Sequence, residues 1–354
     1  MEVANINQLL PAEVLERVFH LLPPRVLRVV VLVCRRWREV GEAPGLWSWV
    51  FLTVDQGNLG VMPGLLASRR LQGVVELRAR AVSEELLQVV ADHPGLRSLD
   101  MSDANHRLPP DAKFPGLQAA LLGAAVSNLT VLSIWETHLT TEQAQAVLVG
   151  ITGSSLVKLD ISYNDLSEVP ARVLVGAVRG LEVLRIQANQ LGEEQVEAVF
   201  TALGEEQEDK LKSLQVSYNS LGSLNPELLA RVVGRVEEVG LMTCLLTPHQ
   251  LHHLFTALSN SNNLRRLDIS HNNLSTLEAT LLAEVVNKLE VAVVNRTGLD
   301  QEQVTAIISR SLEATRLTML CVEWRRIHVE EELVLLASEL YDLTQASQGT
   351  VAIY

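Results

Sequence analysis

His249, His252 and His253 stand three and four residues apart in a stretch that reads as a helix. Histidines at i and i+4 share a helix face, so His249 and His253 could hold a metal ion weakly. No further ligand type lies near them in sequence, and a polar helix face accounts for them as well. The sequence carries no glycine-rich phosphate loop, no paired-cysteine metal motif and no nucleophile elbow. The chain therefore reads as no enzyme, with no cofactor and with neither a catalytic nor a metal site. Recognition chemistry remains. Trp135, Arg185 and Met242 are of the residue types that dominate protein interfaces.

Those side chains sit on a repeat. Its clearest copy is Leu156-x-x-Leu159-x-Ile161-x-x-Asn164-x-Leu166. The frame recurs from Leu129, Leu181, Leu211, Val236, Leu264 and Leu289, with a degenerate copy at Leu317 and weaker ones at Val74 and Leu96. Alternating leucines predict a short strand in each copy, facing one continuous core. The turn after each strand holds Thr137, Asn164, Asn189, Asn219, Cys244, Asn272 or Thr297. A buried turn needs a side chain that satisfies backbone groups, which Asn does best and Cys poorly, so a looser coil is expected at Cys244. Successive starts lie 27, 25, 30, 25, 28, 25 and 28 residues apart, so the unit is a pair of copies near 53–55 residues. Residues 193–200 and 300–308 begin acidic and turn apolar at helical spacing, which predicts a helix after the strand. The pattern resembles the ribonuclease-inhibitor class of leucine-rich repeats. That resemblance implies an α/β fold, a curved solenoid with a parallel sheet inside and helices outside.

Side chains between the leucines face the open side of such a sheet. One column reads Ser133, Asp160, Arg185, Gln215, Gly240, Asp268 and Val293. The next reads Trp135, Ser162, Gln187, Ser217, Met242, Ser270 and Asn295, and a third contains Lys158, Glu238 and Arg266. Trp135, Lys158, Asp160, Arg185, Gln187, Gln215, Met242, Arg266 and Asp268 are the expected substrate contacts. The same columns also read as a solvated face of mixed charge.

The first fifty residues differ from the rest. Pro11 suits a first helical position, and Glu13 and Glu16 favour the helix dipole. Val14, Leu15, Val18, Phe19 and Leu22 then share one face, and Pro23-Pro24 stops the helix. A second helix is expected from about Arg25 to Val40. Its stretch from Val26 to Cys34 is apolar on nearly every side and must be covered on more than one face. A unit this small buries too little surface alone, so the repeats or another protein must cover it.

Leu10-Pro11, Leu15, Val18-Phe19, Pro23-Pro24, Val33-Cys34-Arg35-Arg36-Trp37 and Leu46-Trp47 together resemble the F-box motif. Val26 and Val31 depart from it, standing where many members carry Asp and a small polar residue. The resemblance implies docking onto a Skp-type adaptor, and through it onto a cullin-RING ubiquitin ligase. By it, Leu10, Pro11, Leu15, Val18, Phe19, Leu22, Leu27, Val33, Cys34, Trp37, Leu46 and Trp47 would form the adaptor contact. The alternative is an N-terminal helical cap on a stand-alone cytosolic leucine-rich-repeat binding protein or inhibitor.

Composition fits an interaction protein. The 354 residues carry a net charge of −13 without a basic stripe, which disfavours nucleic acid. The acidity lies outside the first fifty residues and favours a partner with a basic segment. Three widely spaced cysteines argue against a disulfide framework, and no apolar run is long enough to span a bilayer. Cytoplasm or nucleus is the expected location. The expected layout is a helical F-box domain at 5–50, a linker or irregular first coil at 51–72, repeats at 73–330, and a capping helix with tail at 331–354. The predicted role is substrate recognition for a ubiquitin ligase.

Overall fold

A computed structural model describes residues 10–48, 51–102, 116–206, 209–312, 316–322 and 350–353. The chain divides into two compact units, residues 1–156 and 157–354. The helical N-terminal segment thus shares its unit with the first repeats.

In the first unit, α1 (Ala12–His20), α2 (Pro24–Val30) and α3 (Arg35–Gly41) lead to a 3-10 turn at Pro44–Trp47. The long second helix expected over 25–40 is broken at 31–34. Three successive valines, Val29 to Val31, weaken helix propensity there. Cys34 is fully extended (φ −158°, ψ 169°), and the Arg38 Nε–H donates to the carbonyl of Val31 at 3.1 Å. Four coils follow. Strands β1 (Phe51–Val54), β2 (Glu76–Ala79), β3 (Ser98–Asp100) and β4 (Val131–Ser133) pair in sequence order, all parallel. The helices between and after them are α4 (Met62–Leu66), α5 (Glu84–Asp92), α6 (Ala119–Val126) and α7 (Thr141–Ile151). Residues 51–72, expected to be a linker or irregular coil, therefore contribute a paired strand.

The second unit repeats this plan. Strands β5 (Lys158–Asp160), β6 (Val183–Arg185), β7 (Ser213–Gln215), β8 (Glu238–Gly240), β9 (Arg266–Asp268), β10 (Val291–Val294), β11 (Met319–Val322) and β12 (Thr350–Ile353) form parallel neighbours in order. Helices α8 (Ala171–Val178), α9 (Glu193–Glu205), α10 (Pro226–Val233), α11 (Pro248–Ser259), α12 (Ala279–Lys288) and α13 (Gln301–Ser311) alternate with β5 to β11 and pack on one another. Each unit is thus an α/β stack of leucine-rich coils. Strand β12 lies within 331–354, where a capping helix and tail were expected. The expected capping helix falls mostly in 323–349, outside the described residues. Among the described residues no helix is long and apolar enough to cross a membrane.

Two devices hold neighbouring coils together. Gln143, Gln195, Gln250 and Gln303 stand in the first turns of α7, α9, α11 and α13, and all four are buried. Each side-chain oxygen accepts the backbone N–H at the helix start, from Thr140, Gly192, Thr247 and Asp300. Each amide donates to carbonyls of the preceding coil, as Gln250 does to Leu221 at 2.7 Å and Leu224 at 2.6 Å. The second device is the turn position. Asn219 donates to the carbonyls of Ile186 and Val216 at 2.7 and 3.0 Å, and its oxygen accepts from the N–H of Asn189 at 3.1 Å. Cys244 at the same place offers a thiol 3.6 Å from the Val216 carbonyl. Burial pushes that thiol up to about 12.

Candidate functional site

The expected adaptor residues divide into two groups. Leu15, Phe19, Leu27, Leu46 and Trp47 are buried and make the core of the helical segment. Phe19 meets the Trp37 ring edge-on at 5.3 Å, and the indole N–H of Trp47 donates to the Gly41 carbonyl at 2.9 Å. Leu10, Leu22, Cys34 and Trp37 are half-buried, and Arg36 donates to the Leu10 carbonyl. Of the expected set, only Pro11, Val18 and Val33 are exposed.

The segment also carries exposed apolar side chains that sequence reasoning alone largely misses. Leu21 is 84 % exposed, Leu32 72 % and Val29 59 %, with Val14 and Val26 also exposed. Val14, Val18 and Leu21 follow i, i+4, i+7 spacing on and just beyond α1, while Val26 and Val29 follow i, i+3 spacing on α2. The signal was present as an excess of apolar residues all round the predicted second helix. The split between inside and outside was not, because it depends on the break at 31–34.

The rest of the segment is anchored on the first coil. The guanidinium of Arg70 lies 4.8 Å from the centre of the Trp47 ring. Gly73 approaches Pro44 so closely that a Cβ there would fall 1.8 Å from the Pro44 oxygen. One side of the segment therefore covers the repeats while the valine and leucine face stays open.

The sheet face has the register expected from the repeat. Lys158, Glu238 and Arg266 share one row, and Asp160, Arg185, Gln215, Gly240 and Asp268 share another. Most of these side chains are already occupied by one another. Arg185 lies 3.8 Å from Asp160, and Arg266 lies 3.2 Å from Glu238. Asp160 and Asp268 each accept the backbone N–H two residues on, from Ser162 and Ser270 at 3.1 and 3.0 Å. Gln187 donates to Gln215 at 3.5 Å, and Gln215 lies over Gly240, where a Cβ would sit 2.0 Å from its side-chain oxygen. Next to this row Lys212 pairs with Glu182 at 2.8 Å, which raises the lysine pKa and lowers that of the glutamate.

Trp135 is half-buried rather than exposed and belongs to the first unit. Arg185 and Met242 belong to the second and stand two strands apart, roughly 10 Å at ordinary strand spacing. The exposed edge instead presents Tyr163 and Tyr218, 38 % and 46 % exposed, each in the left-handed region at φ 58° and 61°. Their recurrence in Ser-Tyr-Asn triplets was legible, but the backbone turn that holds them outward was not.

His249 and His253 stack edge to face at 4.6 Å. Among the described residues no group of three His, Cys, Asp or Glu is placed to hold a metal. All three cysteines are free thiols, and burial raises the pKa of Cys321 as it does that of Cys244.

Comparison with known proteins agrees with both halves. A model of F-box-like segments matches residues 8–53, and a model of the leucine-rich repeat matches residues 263–284. Human NACHT, LRR and PYD domains-containing protein 3 is 26 % identical over 188 residues, covering 51 % of this chain. The chain spans only 18 % of that protein's length. A solved leucine-rich-repeat protein of Leptospira interrogans covers 76 % of this chain and is covered over 71 % of its own, at 15 % identity and a TM-score of 0.47.

Proposed function

We propose that this chain, which joins an F-box-like segment to leucine-rich repeats as F-box/leucine-rich-repeat proteins do, is the substrate-recognition subunit of a Skp–cullin–F-box ubiquitin ligase. The coarser statement, that it is a protein-interaction module, follows from the two matches alone. The observation that carries the finer one is the exposure of Val14, Val18, Leu21, Val26, Val29 and Leu32 on an F-box-like segment already anchored on the repeats. Burying one such leucine fully in a partner is worth about 1.5–3 kcal/mol, which is reason for a soluble protein to expose a cluster only where something covers it. In this reading the face receives a Skp-type adaptor and the repeat surface receives a protein substrate with a basic segment. The chain performs no chemistry. It works in the cytoplasm or nucleus by holding substrate near the transferring subunit.

Capping of the repeats and adaptor docking are compatible, since the Pro44–Trp47 side of the segment faces the first coil. Deleting residues 1–50 would injure both and separate nothing. Phe19 is also a poor probe, being 1 % exposed and part of the core. The test is co-expression of the chain with a Skp-type adaptor, comparing wild type with a Leu21→Asp, Leu32→Asp variant. Expected is a stoichiometric complex for the wild type, and loss of the complex by the variant with unchanged melting. Equal binding by both would refute this face as the adaptor contact; no binding by the wild type overturns the reading and leaves a capped leucine-rich-repeat binding protein.

A further inference from the structure

The chain contains 24 arginines and only five lysines: Lys113, Lys158, Lys210, Lys212 and Lys288. Lysine is ordinarily among the commonest residues. The fold does not impose this imbalance. Lys212 and Arg265 each follow the first leucine of their coil, and each pairs with a glutamate of the neighbouring coil, at 2.8 Å to Glu182 and 3.6 Å to Glu237. Lys158 and Arg266 open β5 and β9 in one register row. Lys288 and Arg235 each precede the first apolar residue of a coil, and each donates to carbonyls of the coil before, Lys288 to Ser259 and Arg235 to Gly204. At two of the four described lysine positions, then, arginine does the equivalent work elsewhere, and at a third it occupies the same register row.

What distinguishes the two cations is reactivity. A lysine amine can lose its proton and attack an acyl carbon, whereas a guanidinium stays protonated. We propose that the scarcity of lysine keeps this chain a poor ubiquitin acceptor within its own ligase, and that Lys158 is the residual modification site among its described lysines. The proposal rests on the ligase reading. In such a complex the receptor's own amines stand, like those of its substrate, at high effective concentration near the ubiquitin thioester of the conjugating enzyme. A neutral Nζ attacks the thioester carbonyl, the C–N isopeptide bond forms and the C–S bond breaks. The cysteine thiolate leaves, and the amine proton passes to solvent. Among the described lysines, Lys212 is held by Glu182, Lys288 is held by the Ser259 carbonyl and Glu284, and Lys210 also has a partner. Lys158 is exposed and forms no hydrogen bond or ion pair among the described residues.

The experiment is self-modification in a reconstituted complex of the chain, adaptor and cullin-RING subunits with activating and conjugating enzymes, ubiquitin and ATP. Wild type is compared with Lys158→Arg and with a variant carrying Arg172, Arg179, Arg231, Arg235, Arg265 and Arg310 all changed to lysine. Of the six, Arg172, Arg231 and Arg310 are exposed and, like Lys158, form no ion pair or side-chain hydrogen bond among the described residues, so the added unheld amines should raise chain modification at least about twofold. Lys158→Arg should remove the larger part of the wild-type signal. A six-lysine variant that melts like the wild type yet is modified no faster overturns the proposal, as does persistence of the signal in Lys158→Arg. Should the six-lysine variant misfold, one limited to Arg172, Arg231 and Arg310 gives the same two outcomes. Wild type that never enters the complex removes the ligase reading itself, a failure visible by gel filtration before ubiquitin is added.

Discussion

At the scale of single residues, the turns after the strands carry most of the backbone strain. Ten described non-glycine residues have positive φ, all of them flanking the Asn, Thr or Cys turn position. In alternate coils both flanks are left-handed, as at Thr243 and Leu245 beside Cys244, and at Arg296 and Gly298 beside Thr297. Gly298 meets this demand without a Cβ, whereas Leu245 meets it at φ 54° with its side chain 66 % exposed. Removing the Cβ relieves a left-handed penalty of about 1 kcal/mol, with little packing to lose. Leu245→Gly should therefore raise the urea midpoint. An unchanged or lower midpoint would show that Leu245 packs more usefully than its exposure implies.

At the scale of elements, coil-to-coil bonds are the weak points. Gln250→Leu puts an apolar side chain in the core but strips the Leu224 carbonyl of its donor and the Thr247 N–H of its acceptor, and leaves the Leu221 carbonyl with only the Leu224 N–H. Leaving such groups buried and unpaired should cost about 3 kcal/mol, read as a lower midpoint in denaturant with unchanged slope. The first unit has its own counterpart in His93. Its Nε2–H donates to the Leu71 carbonyl at 2.9 Å, while Nδ1 accepts from the N–H of Leu96 at 3.0 Å. Burial holds its pKa below the ordinary 6.5. The folded state then binds fewer protons than the unfolded one in acid, so stability is present above about pH 6.5 and is lost as pH falls through the lowered folded value. His93→Gln should flatten this slope in an acid titration of the first unit. A slope equal to that of the wild type would exclude His93 as its source.

At the scale of the whole molecule, stability in a stacked fold is a sum of coil and neighbour contributions. The joint between the F-box-like segment and the first coil holds the closest backbone approach at any described glycine of the first unit. A Cβ at Gly73 would meet not only the Pro44 oxygen but also the Pro44 carbonyl carbon, at 2.4 Å. Backbone cannot step aside as a side chain can, so Gly73→Ala should cost about 1–3 kcal/mol. The loss should be local. Hydrogen exchange should quicken at β1 and β2 and stay unchanged at β7 to β10. Uniform quickening would mean that the coils unfold as one cooperative body.

Whatever repeats or follows helical spacing was readable from the residues alone. The leucine frame placed the strands from Val131 onward and their register rows, and the N-terminal signature placed an F-box-like segment. Such features are local or periodic, and each follows from one element's own geometry. Tertiary structure decided what the periodicity leaves open, because a pattern names a face without naming what covers it. Phe19 and Val18 are adjacent in one motif, yet packing against Trp37 buries the first while the second stays in the open face. Asp160 and Arg266 looked available for a ligand, yet neighbouring strands bring Arg185 and Glu238 within ion-pair reach of them. The break at 31–34, the strand at 51–54 and the outward turn of Tyr218 likewise depend on contacts made by residues distant in the chain.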